Sequence, residues 1–110
     1  MSDPNVATRD VLIQTASIDD AALFYQTRLG LKEFYRTGTM IGLEAGAFRL
    51  FLDQGEPYGP VFEFLVEDLE TAKRELVAAG CRIENDDPAV PRCYMRDPYG
   101  LIFNIAQKNL

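Results

Sequence analysis

The feature that most constrains the fold is an ordered pattern of one strand, one helix and three strands that the chain carries twice. In the first copy, residues 10–15 (DVLIQT) predict a strand, with Val11, Ile13 and Thr15 on one face and Asp10, Leu12 and Gln14 on the other. Ser17 then supplies a helix N-cap, and Gly30 follows the last apolar position of the helix as a stop signal. Three short strands separated by glycine turns are predicted next, at 32–37, 40–44 and 47–53.

The same order returns about 50 residues further along the chain. Residues 61–66 predict a strand, Asp68 an N-cap and Gly80 a helix end, and three more strands are predicted at 81–84, 92–96 and 101–107. We therefore expect one α+β domain over residues 1–110, made of two β-α-β-β-β modules at about 10–53 and 61–107. They are joined by a Gly/Pro-rich link at 54–60. Four strands from each module should form a curved mixed sheet around a cleft, with the helices outside.

The last predicted hairpin contains the most informative polar residue. Its turn, residues 97–100, reads Asp-Pro-Tyr-Gly, in which each residue type favours a tight turn. The run 101–106 that follows is apolar except for Asn104. Such a strand is typically buried on both faces or nearly so, and Asn104 therefore stands out as a candidate site residue.

Composition limits the partners and the compartment. The chain has 11 Lys and Arg against 17 Asp and Glu, a net charge of −6, and its cations form no run. Nucleic acid and membrane are therefore not expected partners. The first residues are polar and no long apolar stretch occurs, which predicts a cytoplasmic protein without signal peptide or membrane span. Cys81 and Cys93 are interpreted as reduced thiols, with a disulfide between them left open.

The sequence contains no histidine. This excludes Ser-His-Asp and Cys-His catalysis, an imidazole general base and histidine ligands for zinc, iron or nickel. Any reaction would have to use carboxylates, Arg, Lys, Tyr or Cys.

Three segments resemble one superfamily in the right order and spacing. Residues 18–25 (IDDAALFY) with 29–31 (LGL) are similar to its first-module signature, and residues 66–69 (VEDL) with 79–80 (AG) to its second-module helix. Residues 97–104 (DPYGLIFN) are similar to its closing DPxGxxxE segment. On these motifs the chain resembles the vicinal oxygen chelate superfamily, which contains glyoxalase I, bleomycin-resistance and extradiol-dioxygenase proteins, from about residue 10 to 107.

The resemblance also implies where a divalent metal would be held in an enzyme of this superfamily. Its ligands come from the first strand of each module, the fourth strand and the last strand, and they are His, Gln and a closing Glu. The matching positions here are Asp10, Val61, Arg49 or Phe51, and Asn104. Valine cannot ligate, arginine would repel a cation, and an amide replaces the carboxylate poorly. We therefore expect neither a metal nor another cofactor.

Strand alternation then predicts which side chains face the cleft. The candidate ligand-binding residues are Asp10, Leu12, Gln14, Arg49, Phe51, Val61, Glu63 and Asn104. The intervening residues are expected to pack against the helices: Val11, Ile13, Phe62, Phe64, Val66, Phe103 and Ile105. The predicted pocket is mostly apolar with a few polar groups, as in small-molecule sites.

Each polar candidate has an alternative interpretation. Glu63, the one candidate catalytic residue, either binds ligand or accepts a proton, or else forms an ion pair with Arg49 or lies in a water-filled cleft without a ligand. Arg49 correspondingly either binds a substrate carboxylate or neutralises Glu63. Gln14 and Asn104 either hold a ligand or hydrogen-bond each other. Asp10, near a strand start, is expected to be solvated.

The function that these residues favour is metal-independent, non-catalytic binding of a small organic molecule, in the manner of a protein that sequesters a drug or metabolite. One alternative is a small lyase, isomerase or dioxygenase-like enzyme that uses Glu63 as a base, or an atypical metal set such as Asp10 with Glu63. Another is a structural or regulatory subunit with a vestigial cleft. The resemblance further implies a homodimer.

Overall fold

A computed structural model describes residues 7–87, 89, 90 and 92–108. Its elements follow the order β1 (Ala7–Thr15), α1 (Ile18–Leu29), β2 (Lys32–Arg36), β3 (Met40–Glu44), β4 (Arg49–Gln54), β5 (Tyr58–Val66), α2 (Leu69–Ala78), β6 (Arg82–Asn85), β7 (Arg92–Arg96) and β8 (Ile102–Gln107). The predicted α+β order of two β-α-β-β-β modules is thereby confirmed. Neither helix in these ranges has the length and apolar character needed to span a bilayer.

The chain forms two compact units. The first unit is Arg9–Val61, and the second consists, within the described ranges, of residues 7, 8 and 62–108. In the first unit the strands follow the order β2-β3-β4-β1, with antiparallel pairs except for the parallel pair of β1 and β4. A parallel pair needs a crossover, and α1 lies within the connection that provides it.

The core of the first unit lies between its strands and one face of α1. Ile41, Leu43 and Leu52 are fully buried there and pack with Ile18 of the helix. Ile13 packs against this cluster as predicted. Leu29, the apolar position just before Gly30 and the last residue of α1, is 64% exposed and is not part of this core.

Both ends of α1 are formed by the predicted residues. The Ser17 hydroxyl accepts a hydrogen bond from the Asp20 N–H at 3.4 Å, which satisfies one of the helix's unpaired donors. At the other end Gly30 has φ +78°, a conformation that favours glycine, and its N–H donates to the Tyr25 carbonyl.

The second unit repeats this arrangement with the strand order β5-β8-β7-β6, in which β5 and β8 are parallel. Its core contains Cys93, Met95, Phe103 and Ile105, with Leu69 from α2. The predicted core residues Phe64 and Val66 also pack here. Phe62 does not: it is 40% exposed, so its assignment to the core was wrong. Period-two alternation identifies a face, but the helix does not cover the whole length of that face.

Two local predictions in this region need correction. Asp68 occupies the N-cap position of α2, yet its carboxylate accepts from the Thr71 hydroxyl at 2.6 Å and makes no capping bond. The Leu69 N–H donates instead to the side-chain oxygen of Gln107 on β8, at 3.0 Å. The predicted link at 54–60 is also too long, because β4 continues to Gln54 and β5 begins at Tyr58.

The predicted tight turn before β8 is confirmed in detail. One carboxylate oxygen of Asp97 accepts from the N–H groups of Tyr99 and Leu101, at 2.8 and 2.9 Å. The Asp97 N–H donates to the Leu101 carbonyl at 2.9 Å. This turn sets the antiparallel register of β7 and β8, in which Tyr94 lies opposite Asn104.

Both cysteines are free and buried in the core of the second unit. Burial raises the pKa of the Cys93 thiol, and the negative charge of Asp86 adds to the effect. Burial likewise raises the pKa of Cys81, with a smaller contribution from Asp97. Both side chains therefore favour the unreactive thiol, and they serve as packing residues.

Candidate functional site

The second unit brings Glu63 and Asn104 together as the parallel register of β5 and β8 requires. The Asn104 amide nitrogen donates to Glu63 Oε2 at 2.8 Å, and the Thr8 hydroxyl donates to Glu63 Oε1 at 2.9 Å. Each carboxylate oxygen thus has one neutral donor. Glu63 and Asn104 therefore bond to each other, and the alternatives in which Glu63 pairs with Arg49 and Asn104 with Gln14 were wrong, because Arg49 pairs with Asp10 and Gln14 donates to Asp53.

Asn104 has one polar atom that remains unsatisfied. The residue is 5% exposed, and its Oδ1 is closed off from solvent with no hydrogen-bond partner in the described part of the chain. A buried acceptor without a donor costs about 1–3 kcal/mol relative to the same atom in water. Phe103 and Ile105, its neighbours on β8, lie in the helix-side core, so the amide belongs to the opposite face.

An aromatic residue lies beside this amide on the next strand. Tyr94 of β7 is directly opposite Asn104, and side chains directly opposite in an antiparallel pair share a face. The guanidinium carbon of Arg92 lies 5.5 Å from the centroid of the Tyr94 ring. Asn104 is therefore flanked by a carboxylate on one side and an aromatic ring on the other.

The first unit contains a different polar pair, Asp10 and Arg49, which face each other across β1 and β4. Arg49 Nε donates to Asp10 Oδ1 at 2.7 Å and its Nη2 to Oδ2 at 3.0 Å, a bidentate ion pair. The expectation that Asp10 is simply solvated was wrong, because β4 places a guanidinium directly opposite it.

Two phenylalanines hold this arginine from the other side. The Arg49 guanidinium carbon lies 5.2 Å from the Phe34 ring centroid and 5.6 Å from that of Phe51. The two rings meet edge to face, with centroids 5.6 Å apart. Phe34 was not among the predicted site residues, because an irregularity between Glu33 and Tyr35 interrupts the alternation of β2. Gly42 was the available signal, since a glycine inside a strand marks a close approach.

Replacing Gly42 by Ala is expected to displace the Phe34 ring and to lower the free energy of unfolding by about 1 kcal/mol. A Cβ at this position would lie 2.8 Å from Phe34 Cζ and 3.1 Å from a ring carbon of Phe51. Urea unfolding gives the stability, and methyl and aromatic NMR shifts give the ring position. Gly38→Ala is the matched control, since its Cβ meets nothing within 4 Å. Equal effects of the two substitutions would contradict the steric explanation.

A further carboxylate lies next to the Asp10–Arg49 pair. Glu44 is opposite Arg49 on β3. Its carboxylate accepts from the Gly46 N–H at 2.8 Å and from Arg9 at 2.5 Å, and these contacts, the backbone one first, hold the pKa of Glu44 below its usual value. Glu44 therefore stays ionised at neutral pH. The surroundings of the Asp10–Arg49 pair thus contain both negatively and positively charged side chains.

The other predicted site residues take up less specific positions. Gln14 donates to Asp53 at 3.4 Å, Leu12 lies opposite Phe51, and Val61 is buried at the end of the first unit. The structure thus brings Asp10, Arg49 and Phe51 together in one unit and Glu63 with Asn104 in the other. Their binding of a ligand stays a prediction.

The residues at the implied metal positions do not fit a divalent cation. Val61 has no donor atom, Asp10 is engaged by a guanidinium, and Asn104 turns its amide nitrogen towards Glu63. Across residues 7–87, 89, 90 and 92–108, no group of three or more Cys, Asp and Glu side chains is placed to hold a metal ion. The donor set that the resemblance implies is therefore not reproduced by this chain.

Comparisons with known proteins identify the fold. A scan against protein-family models finds no match, and neither does a search of curated proteins. Among solved structures, a hypothetical protein from Bacillus halodurans C-125 superposes with a TM-score of 0.69 at 20% identity, covering 92% of this chain and 93% of that one. Methylmalonyl-CoA epimerase from Mycobacterium tuberculosis matches at TM-score 0.62 and 17% identity, covering 100% and 94%.

A Mn(II)-bound glyoxalase from Novosphingobium aromaticivorans matches at TM-score 0.64 and 19% identity, covering 96% of this chain and 42% of that longer one. At such identities the likeness establishes the fold alone. The fold is that of proteins built from paired β-α-β-β-β modules. This chain shares its fold with the glyoxalase and the epimerase, and a glyoxalase-type fold is what the three motifs predict.

Proposed function

We propose that this protein binds a small organic molecule at the Glu63–Asn104 pair of the second unit, without a metal ion and without turning the molecule over. The observation that carries the proposal is the buried Asn104 Oδ1 without a donor. Nearly all buried polar atoms in folded proteins have a partner, and one without a protein partner marks a place where a water molecule or a ligand group can donate a hydrogen bond.

The neighbouring contacts support a prepared site. Thr8 and Asn104 hold both oxygens of Glu63, so the carboxylate is fixed in position before any ligand arrives. A donor from a ligand would satisfy Oδ1 and recover the free energy that the unsatisfied atom costs. Because Oδ1 is closed off from solvent, the atoms that cover it have to move before a ligand can reach it, and the apparent affinity is reduced by that cost.

The fold gives general support. Solved structures of this fold include a glyoxalase and an epimerase, which are named for reactions of small molecules. The glyoxalase carries Mn(II), whereas the matching residues here do not fit a divalent cation. A protein that binds a small molecule without a metal accounts both for the shared fold and for a donor set that does not fit a divalent cation.

One observation favours a second candidate, an isomerase or lyase that uses Glu63 as a base. Two neutral donors orient its carboxylate, as a catalytic base requires, and nothing in that arrangement prevents proton transfer. A Glu63–Arg49 pair would favour the third alternative, a structural or regulatory subunit with a vestigial cleft, whereas Arg49 pairs with Asp10. The homodimer, the cytoplasmic location and the single domain over residues 1–110 stay predictions.

A thermal-shift screen of drug-like and metabolite libraries, with and without EDTA, tests the proposal. We expect ligands whose stabilisation is unaffected by EDTA and whose affinity falls about tenfold in Glu63→Gln or Asn104→Leu, since a hydrogen bond to a charged or buried group is worth about that factor. Glu67→Gln, which removes an exposed carboxylate from the same unit, should leave the affinity unchanged.

Two outcomes of the screen would contradict the proposed binding site. Ligands that bind the Asn104→Leu variant with unchanged affinity, or only in the presence of a metal, would contradict the proposed site. NMR of each ligand incubated with the protein decides between binder and enzyme: product formation that stops in Glu63→Gln would favour the second candidate.

A further inference from the structure

We infer that the ligand group recognised by the Glu63–Asn104 pair is an organic cation bearing N–H donors, such as a primary ammonium or an amidinium. This inference rests on the proposed function and names the chemical class of its ligand. It follows from which hydrogen-bonding groups the pair has already used and which it still offers.

The pair offers acceptors to a ligand. The Asn104 amide nitrogen and the Thr8 hydroxyl already donate to Glu63. Asn104 Oδ1 has no donor, and each carboxylate oxygen of Glu63 has a further lone pair beyond the bond it accepts. An ammonium presents three donors and no acceptor, so it satisfies such a site without leaving a polar atom unpaired.

The charge of the site points in the same direction. Glu63 is half-buried, and both of its hydrogen-bond partners are neutral. Within the described residues of the second unit no Lys or Arg forms an ion pair with it. Burying a carboxylate costs free energy unless a partner compensates it, and the net charge of −6 further favours a cationic ligand.

The neighbouring aromatic ring favours an organic cation. Tyr94 lies opposite Asn104, and Arg92 already places its guanidinium carbon 5.5 Å from the Tyr94 ring centroid. This contact shows that the ring accepts a cation on its face. A ligand cation near Asn104 would feel the positive charge of exposed Arg92, so removing that charge should strengthen binding.

Three probes of similar size test the inference on the full chain: benzylammonium, the neutral benzyl alcohol and the anionic benzoate, at constant ionic strength. We expect benzylammonium to shift the Asn104 side-chain amide signals in ¹⁵N-edited NMR and to bind about tenfold more tightly than benzyl alcohol, with no benzoate binding. Glu63→Gln should abolish that preference, Glu67→Gln should preserve it, and Arg92→Ala should tighten benzylammonium binding severalfold.

Other outcomes overturn the inference. Equal affinities for benzyl alcohol and benzylammonium would show that the site recognises a hydrogen-bond donor and not a positive charge. Benzoate binding that Arg92→Ala abolishes would show an anion site instead. Failure of benzylammonium and of benzamidinium to bind at millimolar concentration would also overturn it. None of these results affects the proposed function, which fails if the affinity of library ligands does not depend on Glu63 and Asn104, or if they bind only in the presence of a metal.

Discussion

Replacing Asn104 by Asp is expected to lower the free energy of unfolding by about 3 kcal/mol at neutral pH, because the new buried charge has no partner of opposite sign. The Asn104 amide nitrogen lies 2.8 Å from Glu63 Oε2. A carboxylate oxygen in its place would bring two negative charges into contact within a largely buried site, and it would remove a donor from Glu63.

The destabilisation should depend on pH with a definite sign. The charge of Glu63 raises the pKa of the introduced carboxyl group in the folded state above its unfolded value. The folded variant then binds more protons than the unfolded chain, so the loss of stability is greatest above the raised pKa and diminishes as the pH falls through it. Urea unfolding at about pH 7 and about pH 4.5, compared with the unchanged protein, measures both quantities.

The matched control is Asn85→Asp, which adds the same charge at an exposed position of β6 in the same unit. Exposed substitutions of this kind usually change stability by less than about 0.5 kcal/mol. A penalty of similar size in both variants, or one that does not change with pH, would contradict the placement of Asn104 against Glu63.

Replacing Ile105 by Ala should have a comparable effect on stability through a different mechanism. Ile105 follows Asn104 on β8 but faces the helix-side core, where it is 1% exposed and packs with Met95 and Cys93. Truncation removes buried methyl and methylene groups and leaves a cavity, which typically costs 2–5 kcal/mol; we expect about 3 kcal/mol here.

The control for this prediction is the same substitution at Ile83, which is 46% exposed on β6. Ile83→Ala should cost less than about 1 kcal/mol, because little apolar area is removed from the core. Urea midpoints followed by circular dichroism give both values, and the denaturant slope shows whether the transition stays two-state. Equal losses at the two positions would mean that the core lies elsewhere in this unit.

The elements of the fold could be predicted because their signals are local. Ser17 and Gly30 delimit α1, and the Asp97 turn delimits β8, all through contacts a few residues apart in sequence. The errors arose where distant parts of the chain decide the outcome. The Leu69 N–H at the start of α2 donates to Gln107, and Phe62 is exposed although strand alternation places it on the same face as the core residues Phe64 and Val66.

For the site, the sequence predicts on which face of a strand each side chain lies, but not which side chains bond to each other. Strand alternation correctly placed the Asn104 side chain on one face of β8 and those of the core residues Phe103 and Ile105 on the other face. It could not show that Glu63 bonds to Asn104, or that Asp10 pairs with Arg49. These partners are 41 and 39 residues apart in sequence, and their meeting depends on strand order and register. Phe34 was missed because an irregular strand obscures its face.

The position of Asn104 between two core residues has a consequence for engineering. Most substitutions along β8 will disturb packing on one side or hydrogen bonding on the other, so this strand tolerates little redesign. β7 offers more freedom, since Arg92 is exposed and Tyr94 is half-buried on the face it shares with Asn104. Libraries intended to alter the proposed ligand preference should therefore diversify Arg92 and Tyr94 and leave β8 intact.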